Sequence, residues 1–490
     1  MKTFILTTAI LFLPVVLFAL SDLGFDNYFL DKTMRIDYFH IGDVNTEIVT
    51  VDKIYQQGIW AGSLNNLIDN FNNGRYYFKI YDKTSEKLIY SKGFDSYFGE
   101  YKTSEDGIAG IKRTYHESAL LPYPKNKIIF TMEKRNKENK LEEFFRQEID
   151  PANLIIIKDK VLDKTVKVFE PVKNGDPHTK VDIVILGEGY TANEEKKFSN
   201  DLKEFVGIHF SQEPYKSLKS SFNIYGVFKP SEESGVDEPD HASFKNTVLN
   251  CTFYSLGSER YLLTEDNKLM RDLAAHVPYD AIYIMVNHKR YGGGGIYNLY
   301  CTFTTDNQWH EYLFLHEFGH SFAGLADEYY TSDVAYNEFY PKGIEPVEAN
   351  ITALVEGKNV KWQNMLSPGI EVPTPWEKED YDKADYAYQK IRRELNNKIA
   401  EMKRNNVPKD EVAKVEEESE RVSLERAKEA DAYLMKSKYW NKVGVFEGAG
   451  YSSKGLYRPM LDCIMFSKGQ KPFCKVCEGQ IIKVIEHYTK

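Results

Sequence analysis

Cysteine is scarce in this chain of 490 residues: there are five, and none comes before Cys251. A fold stapled throughout by disulfides is thereby excluded, and the N-terminal half must stand on packing alone. Positive charge is in deficit too. With 63 Lys and Arg against 73 Asp and Glu, the net charge of -10 argues against nucleic acid and anionic membrane surfaces as partners. The one marked apolar run, at the very start, is too short to cross a bilayer comfortably, and no second hydrophobic span follows. The glycines make no nucleotide loop, because Gly187-Glu188-Gly189 lacks the third glycine and the lysine that such loops use. Histidine, with 11 copies, is rare enough that an ordered pair stands out.

Such a pair lies at His316-Glu317-Phe318-Gly319-His320. Histidines four apart share one face of a helix and can grip one metal ion, and the intervening glutamate can reach a water on that ion. That is the arrangement of a zinc peptidase. Thr305-Asp306-Asn307 offers N-cap residues for the helix, apolar residues flank the histidines, and Gly324 provides a stop. Metzincin peptidases continue H-E-x-x-H-x-x-G-x-x-H. Here the glycine falls one residue later, and Asp327 stands three past it, where the last histidine of that pattern would be. An aspartate is a competent zinc ligand, so His316, His320 and Asp327 are the candidate metal ligands and Glu317 the candidate base. Glu328 is the rival for the third position, since adjacent carboxylates cannot easily both face one ion.

The chain opens with Met1-Lys2-Thr3 and an apolar stretch from Phe4 to Ala19 broken by Thr7, Thr8 and Pro14. A positive tip and a short apolar core read as a signal peptide over residues 1–21, cleaved after Ala19 or Ser21. No cysteine follows the core, which speaks against a lipoprotein. The expectation is an exported protein (secreted, periplasmic or cell-surface) with no stable membrane insertion. Length and apolar content suffice for two or three domains.

Residues 22–165 read as β-rich, with short strands such as Tyr76 to Tyr81, Lys87 to Tyr90 and Lys127 to Met132 between turn residues. A β-sandwich that folds alone and binds no metal is expected, with His40 and His116 as isolated packing or surface residues. From Val181 the pattern changes to strand, turn and helix, with Thr191 and Glu194 forming a capping box. Further strands at Phe222 to Phe228 and Ala281 to Val286 suggest an α/β domain over residues 175–490. Four glycines, Gly292 to Gly295, then precede Ile296 to Phe303, which is expected to lie at the sheet edge where a substrate peptide adds as a strand. Residues 377–438 are dense in Glu, Lys and Arg and carry apolar residues at helical spacing, with a break at Asn405-Asn406-Val407-Pro408. They read as an inserted helical hairpin whose charge is a solvated face, with a substrate-gating role as the alternative. The cysteines at 251, 301, 463, 474 and 477 leave at least one unpaired. Cys474-Lys475-Val476-Cys477 alone suggests a second zinc site or a redox pair, but it has no matching second pair, so Cys463 is expected to pair with Cys474 or Cys477 in a structural role.

These residues resemble the bacterial IgA-cleaving zinc metallopeptidases over nearly the whole mature chain. The matches include Leu30 to Tyr38, Trp60-Ala61-Gly62, Leu121-Pro122-Tyr123-Pro124 and Glu188-Gly189-Tyr190-Thr191. They continue through the histidine helix with Asp327-Glu328-Tyr329, Glu447 to Tyr451, Gly455 to Pro459 and Asp462 to Met465. The resemblance implies an α+β protein: an N-terminal β-sandwich followed by a metzincin-like α/β zinc peptidase domain with the hairpin as an insertion. It implies one catalytic zinc ion on His316, His320 and Asp327, with Glu317 as the catalytic carboxylate and Met465 in a turn beneath the metal. The function expected is a secreted zinc endopeptidase acting on protein or peptide substrates, host glycoproteins such as immunoglobulin A among them. A non-catalytic glycoprotein-binding protein that keeps the fold is the alternative. Tyr457 and Arg458 are candidates for the donor that steadies the oxyanion.

Overall fold

The computed structural model describes residues 23–158, 163–331 and 339–490. The leader expected over residues 1–21 lies outside them. Within them the chain is a mixed α/β protein with several sheets. The N-terminal part holds the strands β1 (Phe29–Gly42), β2 (Glu47–Gln56), β3 (Tyr76–Asp82), β4 (Leu88–Phe94), β5 (Arg113–Pro124), β6 (Ile128–Arg135) and β7 (Leu141–Ile149). Three short helices accompany them: α1 (Phe25–Tyr28), α2 (Tyr97–Tyr101) and α3 (Glu105–Ile108). The strands form two antiparallel sheets, ordered β2-β1-β5 and β4-β3-β6-β7. Alternate residues of each point into one cluster: Met34, Ile36 and Tyr38 from the first, and Tyr76, Phe78, Ile80, Phe130 and Met132 from the second. The isolated His40 is buried and bonded on both nitrogens, to Glu117 at 2.9 Å and Glu47 at 3.0 Å.

The second part is built on a six-stranded sheet of β8 (Lys167–Val172), β9 (Val181–Glu188), β10 (Phe222–Phe228), β11 (Ala281–Val286), β12 (Gly293–Ile296) and β13 (Tyr300–Thr304). Its order is β12-β13-β11-β9-β10-β8. Strands β10, β9, β11 and β13 run parallel, while the outer strands β8 and β12 are antiparallel to their neighbours. Strand β8 falls between the two expected domain ranges and pairs with β10, so the second part begins before residue 175. Strand β9 is buried along its whole length because it carries two cores. Val181, Ile183 and Ile185 face one, and Val184 and Leu186 the other. The first core takes in helix α4 (Glu195–His209), whose start bears the expected Thr191–Glu194 capping box. The second takes in helix α5 (Asn267–Ala274) together with Tyr97, Phe98, Tyr101 and Tyr115 of the N-terminal part.

The two parts are joined by more than that shared core. Buried Arg35 donates to Asp37 and reaches Asp272 of α5 at 2.7 Å. Asn298 Nδ2 donates to the Gly93 carbonyl at 2.7 Å, and the Asp95 amide donates to the Tyr297 carbonyl at 2.9 Å. Separability of residues 22–165, expected from the sequence, is at odds with an interface that buries four aromatic rings.

Helix α6 (His310–Ala323) lies against β12 and β13. After it come α7 (Lys378–Arg404) and α8 (Lys409–Leu434), which form the hairpin expected over 377–438. A two-stranded ribbon of β14 (Phe446–Ala449) and β15 (Ser452–Arg458) and the C-terminal helix α9 (Lys475–Thr489) complete the fold. Among the described residues, no helix is long and apolar enough to cross a membrane.

Candidate metal centre and active site

Helix α6 begins where Asn307 holds its entry turn. Asn307 Oδ1 accepts from the Trp309 amide at 2.7 Å, and its Nδ2 donates to Thr304. The helix ends at Gly324, which is left-handed (φ 59°), so that its amide donates to the His320 carbonyl and the Leu325 amide to the Gly319 carbonyl. Only glycine fits there. Its φ is positive, and a Cβ would fall 2.0 Å from Asn73 Nδ2, which donates to the Gly324 carbonyl.

This reversal brings Asp327 back over the helix. His316 Nε2 and His320 Nε2 are 3.2 Å apart, and Asp327 Oδ1 lies 3.1 and 3.2 Å from them. Each imidazole is oriented from behind: His316 Nδ1 donates to the Ile464 carbonyl at 3.0 Å, and His320 Nδ1 to the Leu325 carbonyl at 2.6 Å. That network assigns the proton to Nδ1 in both rings and turns both Nε2 lone pairs inward. Asp327 Oδ1 has no hydrogen-bond partner, while Oδ2 accepts from Tyr451 at 2.6 Å. Two lone pairs and a carboxylate oxygen facing one another repel unless a cation sits among them. Their separations are about those of neighbouring corners of a zinc tetrahedron with ~2.0–2.2 Å bonds. The residues present therefore fit a metal ion.

Glu328 turns the other way. Its Oε1 accepts from Asn350 Nδ2 at 3.0 Å and lies 3.2 Å from Cys477 Sγ, so of the two adjacent carboxylates it is Asp327 that meets the histidines. Met465 lies under the helix: a Cβ on Gly319 would come within 2.9 Å of its Sδ, and its carbonyl accepts from the Glu328 amide.

Glu317 faces the glycine strand. Gly293 approaches it so closely that a Cβ there would sit 3.1 Å from Glu317 Oε1. Burial raises the pKa of its carboxyl, opposed by the neighbouring His316 and His320. The sheet edge is β12, the glycine run itself, and not Ile296 to Phe303, which turns and becomes the inner strand β13. At Gly293 the outer side of β12 is already engaged, since Gly293 donates to the Arg260 carbonyl and accepts from Leu262.

A model of the family described as IgA Peptidase M64 matches residues 169–485, and a model described as Peptidase M64 N-terminus matches residues 24–146. The chain belongs to that family. No curated protein matches it. As an M64 member it is a peptidase of a metallopeptidase family, with proteins as substrates.

The pocket of this M64 peptidase draws on residues that the motif does not contain. Arg260, Tyr291, Tyr329 and Lys468 line it around Glu317 and the histidines. Arg260 Nη2 donates to Tyr329 Oη at 3.1 Å. Tyr457 and Arg458, expected as oxyanion donors, do not line it. Arg458 is fully buried and donates to the carbonyls of Gly448 and Leu461, a structural task. The N-terminal part supplies Asn73, Arg75, Asp95 and Glu100 to the rim. The hairpin supplies Tyr381, Asp385, Tyr388, Gln389, Ser423 and Arg426, so its charge is not wholly a solvated face. Arg426 Nε meets Asp385 Oδ1 at 3.0 Å on the inner side. Nothing short of the fold places these residues, which come from segments hundreds of positions apart.

Proposed function

We propose that this M64 peptidase is a zinc endopeptidase, exported by its leader, that hydrolyses peptide bonds in proteins, with host glycoproteins such as immunoglobulin A as candidate substrates. The observation that carries this reading is the meeting of His316 Nε2, His320 Nε2 and Asp327 Oδ1 within 3.2 Å of one another beside the carboxylate of Glu317. The N-terminal part is read as a β-sandwich and the second part as metzincin-like, the latter supported by Met465 beneath the helix.

When bound, the zinc ion supplies Lewis acidity, polarising the scissile carbonyl and lowering the pKa of water to about 7. Glu317 takes the proton of the attacking water and returns it to the departing nitrogen. Its burial against β12 raises the carboxyl pKa, which suits a group that must both accept and give back a proton. Tyr329, held by Arg260, is the donor suited to the developing oxyanion. The acidic Asp385 and Glu100 and the basic Arg75 and Lys468 line the same pocket and would set the charge that a bound substrate meets. The test is cleavage of a general protein substrate and of immunoglobulin A by the purified chain, before and after chelation and zinc replacement. Activity that survives complete metal removal refutes the reading, and binding of immunoglobulin without cleavage would favour the non-catalytic alternative.

A further inference from the structure

Directly behind the Asp327 turn lies a second cluster of metal-ligating atoms that the peptidase reading does not use. Cys463, Cys474, Cys477 and Glu328 are all buried and place their ligand atoms within 4.8 Å of one another. From these residues we infer that the chain holds a second, structural metal ion, a zinc bound by three cysteine sulfurs and the Glu328 carboxylate.

Spacing separates this from the disulfide expected from the sequence. Cys463 Sγ and Cys477 Sγ are 3.9 Å apart, whereas a disulfide needs about 2.05 Å. Two sulfurs on one tetrahedral zinc, each at about 2.3 Å, stand about 3.8 Å from each other. Glu328 Oε1 lies 3.2 Å from Cys477 Sγ and 3.8 Å from Cys474 Sγ, on either side of the about 3.5 Å that a sulfur and an oxygen on such an ion would show. No disulfide joins any of the five cysteines in the structure.

Backbone amides are turned toward the sulfurs. Cys463 Sγ accepts from the amides of Met465 at 3.4 Å and Cys474 at 3.1 Å, and Cys474 Sγ accepts from the Cys477 amide at 3.5 Å. Such donors stabilise thiolates, and the Cys474–Cys477 pair opens helix α9, whose N-terminus adds to the same effect. Glu328 gives an independent sign. It is fully buried, and its Oε2 has no hydrogen-bond partner. A carboxylate enclosed with three sulfurs and one unmet oxygen is costly without a cation, and soft sulfur in a tetrahedral set selects zinc. Four protein ligands leave no open position, the mark of a structural site.

The ion would tie together three segments that converge on the active site: the turn that carries Asp327, the stretch that runs from Cys463 to Met465, and the start of α9. Glu328 already donates its amide to the Met465 carbonyl at 2.8 Å. The proposal does not rest on catalysis, and its test is separated from catalysis by removing the other centre. Full-length His316→Ala/His320→Ala protein, purified in the presence of zinc and dialysed, is expected to retain one zinc per chain by elemental analysis. The unsubstituted protein should carry two. A mercurial added to the double variant should release that one zinc as the thiols react, and cobalt exchanged into it should show thiolate-to-cobalt charge-transfer absorption. Because these readouts need no cysteine substitution, they do not depend on a cysteine variant folding. A double variant that folds with native circular dichroism and carries no metal overturns the proposal. So does an intact mass lighter by two hydrogens, which would mean a disulfide.

Discussion

Gly295→Ala tests how closely the glycine strand must approach the histidine helix. A Cβ at residue 295 would lie 2.4 Å from the Glu317 carbonyl oxygen and 2.9 Å from His320 Cβ. Both obstacles belong to α6 near its backbone, so neither can swing aside as the tip of a flexible side chain would. Restoring an ordinary contact near 3.4 Å requires β12 and α6 to part by about 1 Å, and a displacement of that size at a catalytic group costs on the order of a hundred-fold in rate. Overpacking of this kind also destabilises a fold by about 1–3 kcal/mol. Steady-state cleavage of a fluorogenic protein substrate, zinc content and thermal unfolding together read the effect. Expected are a kcat/KM lower by about two orders of magnitude and a reduced Tm. Gly207→Ala is the control: it sits exposed in α4 with nothing within 4 Å of the added carbon, and should stabilise the protein by up to about 1 kcal/mol. If Gly295→Ala stays within threefold of the parent in activity and keeps its Tm, the close strand–helix packing is not what the site depends on.

Glu317→Gln should keep its zinc while losing about a hundred- to ten-thousand-fold in kcat, and retention of more than a tenth of the activity would remove Glu317 from the role of base. Asp327→Ala should lose the ion held by the histidines together with activity, its zinc content after dialysis falling by one per chain, because two imidazoles alone hold zinc poorly. Tyr329→Phe should lower kcat by about ten- to a thousand-fold with KM little changed, and an equal loss in Tyr457→Phe would point to a general structural effect instead. His209 is buried among Tyr215, Phe222, Phe314 and Phe318 with no partner for either nitrogen, and burial pushes its pKa down to about 3. The unfolded chain therefore binds a proton below its ordinary pKa of about 6.5 that the folded chain refuses, so stability is full above that pH and falls as the pH drops toward 3. The loss by pH 4 is on the order of 3 kcal/mol, and His209→Phe should flatten this acid limb in urea titrations; an unchanged slope would refute the assignment.

The local elements were readable because each is dictated by a short stretch. Alternation in Tyr76 to Tyr81, the Thr191–Glu194 box, the stop at Gly324 and the break at Asn405 to Pro408 all act over a few residues, and the elements stand where those signals put them. The spacing of His316 and His320 fixed their common face, and the position of Asp327 after Gly324 anticipated its meeting with them. What the sequence hid depends on pairing between distant segments. Which of β12 and β13 forms the edge is a matter of sheet order, which the local run of residues does not encode. Arg458 read as an oxyanion donor because a guanidinium is suited to one, but its donors are taken up by carbonyls. Arg260 carries no motif at all, and Tyr329, although it stands in the matched stretch after Asp327, shows no catalytic role until folding joins it to Arg260.

Asn73 reaches across 251 residues of chain to cap the carbonyl of Gly324, and the rim beyond it is shared between the two parts of the molecule. A contact of such high sequence separation forms only once the long loop between its partners has closed. A nascent chain that has made helix α6 but not yet docked its N-terminal sheets thus has the motif without a finished cleft. A finished substrate cleft is therefore a sign that the two parts of the molecule have joined correctly.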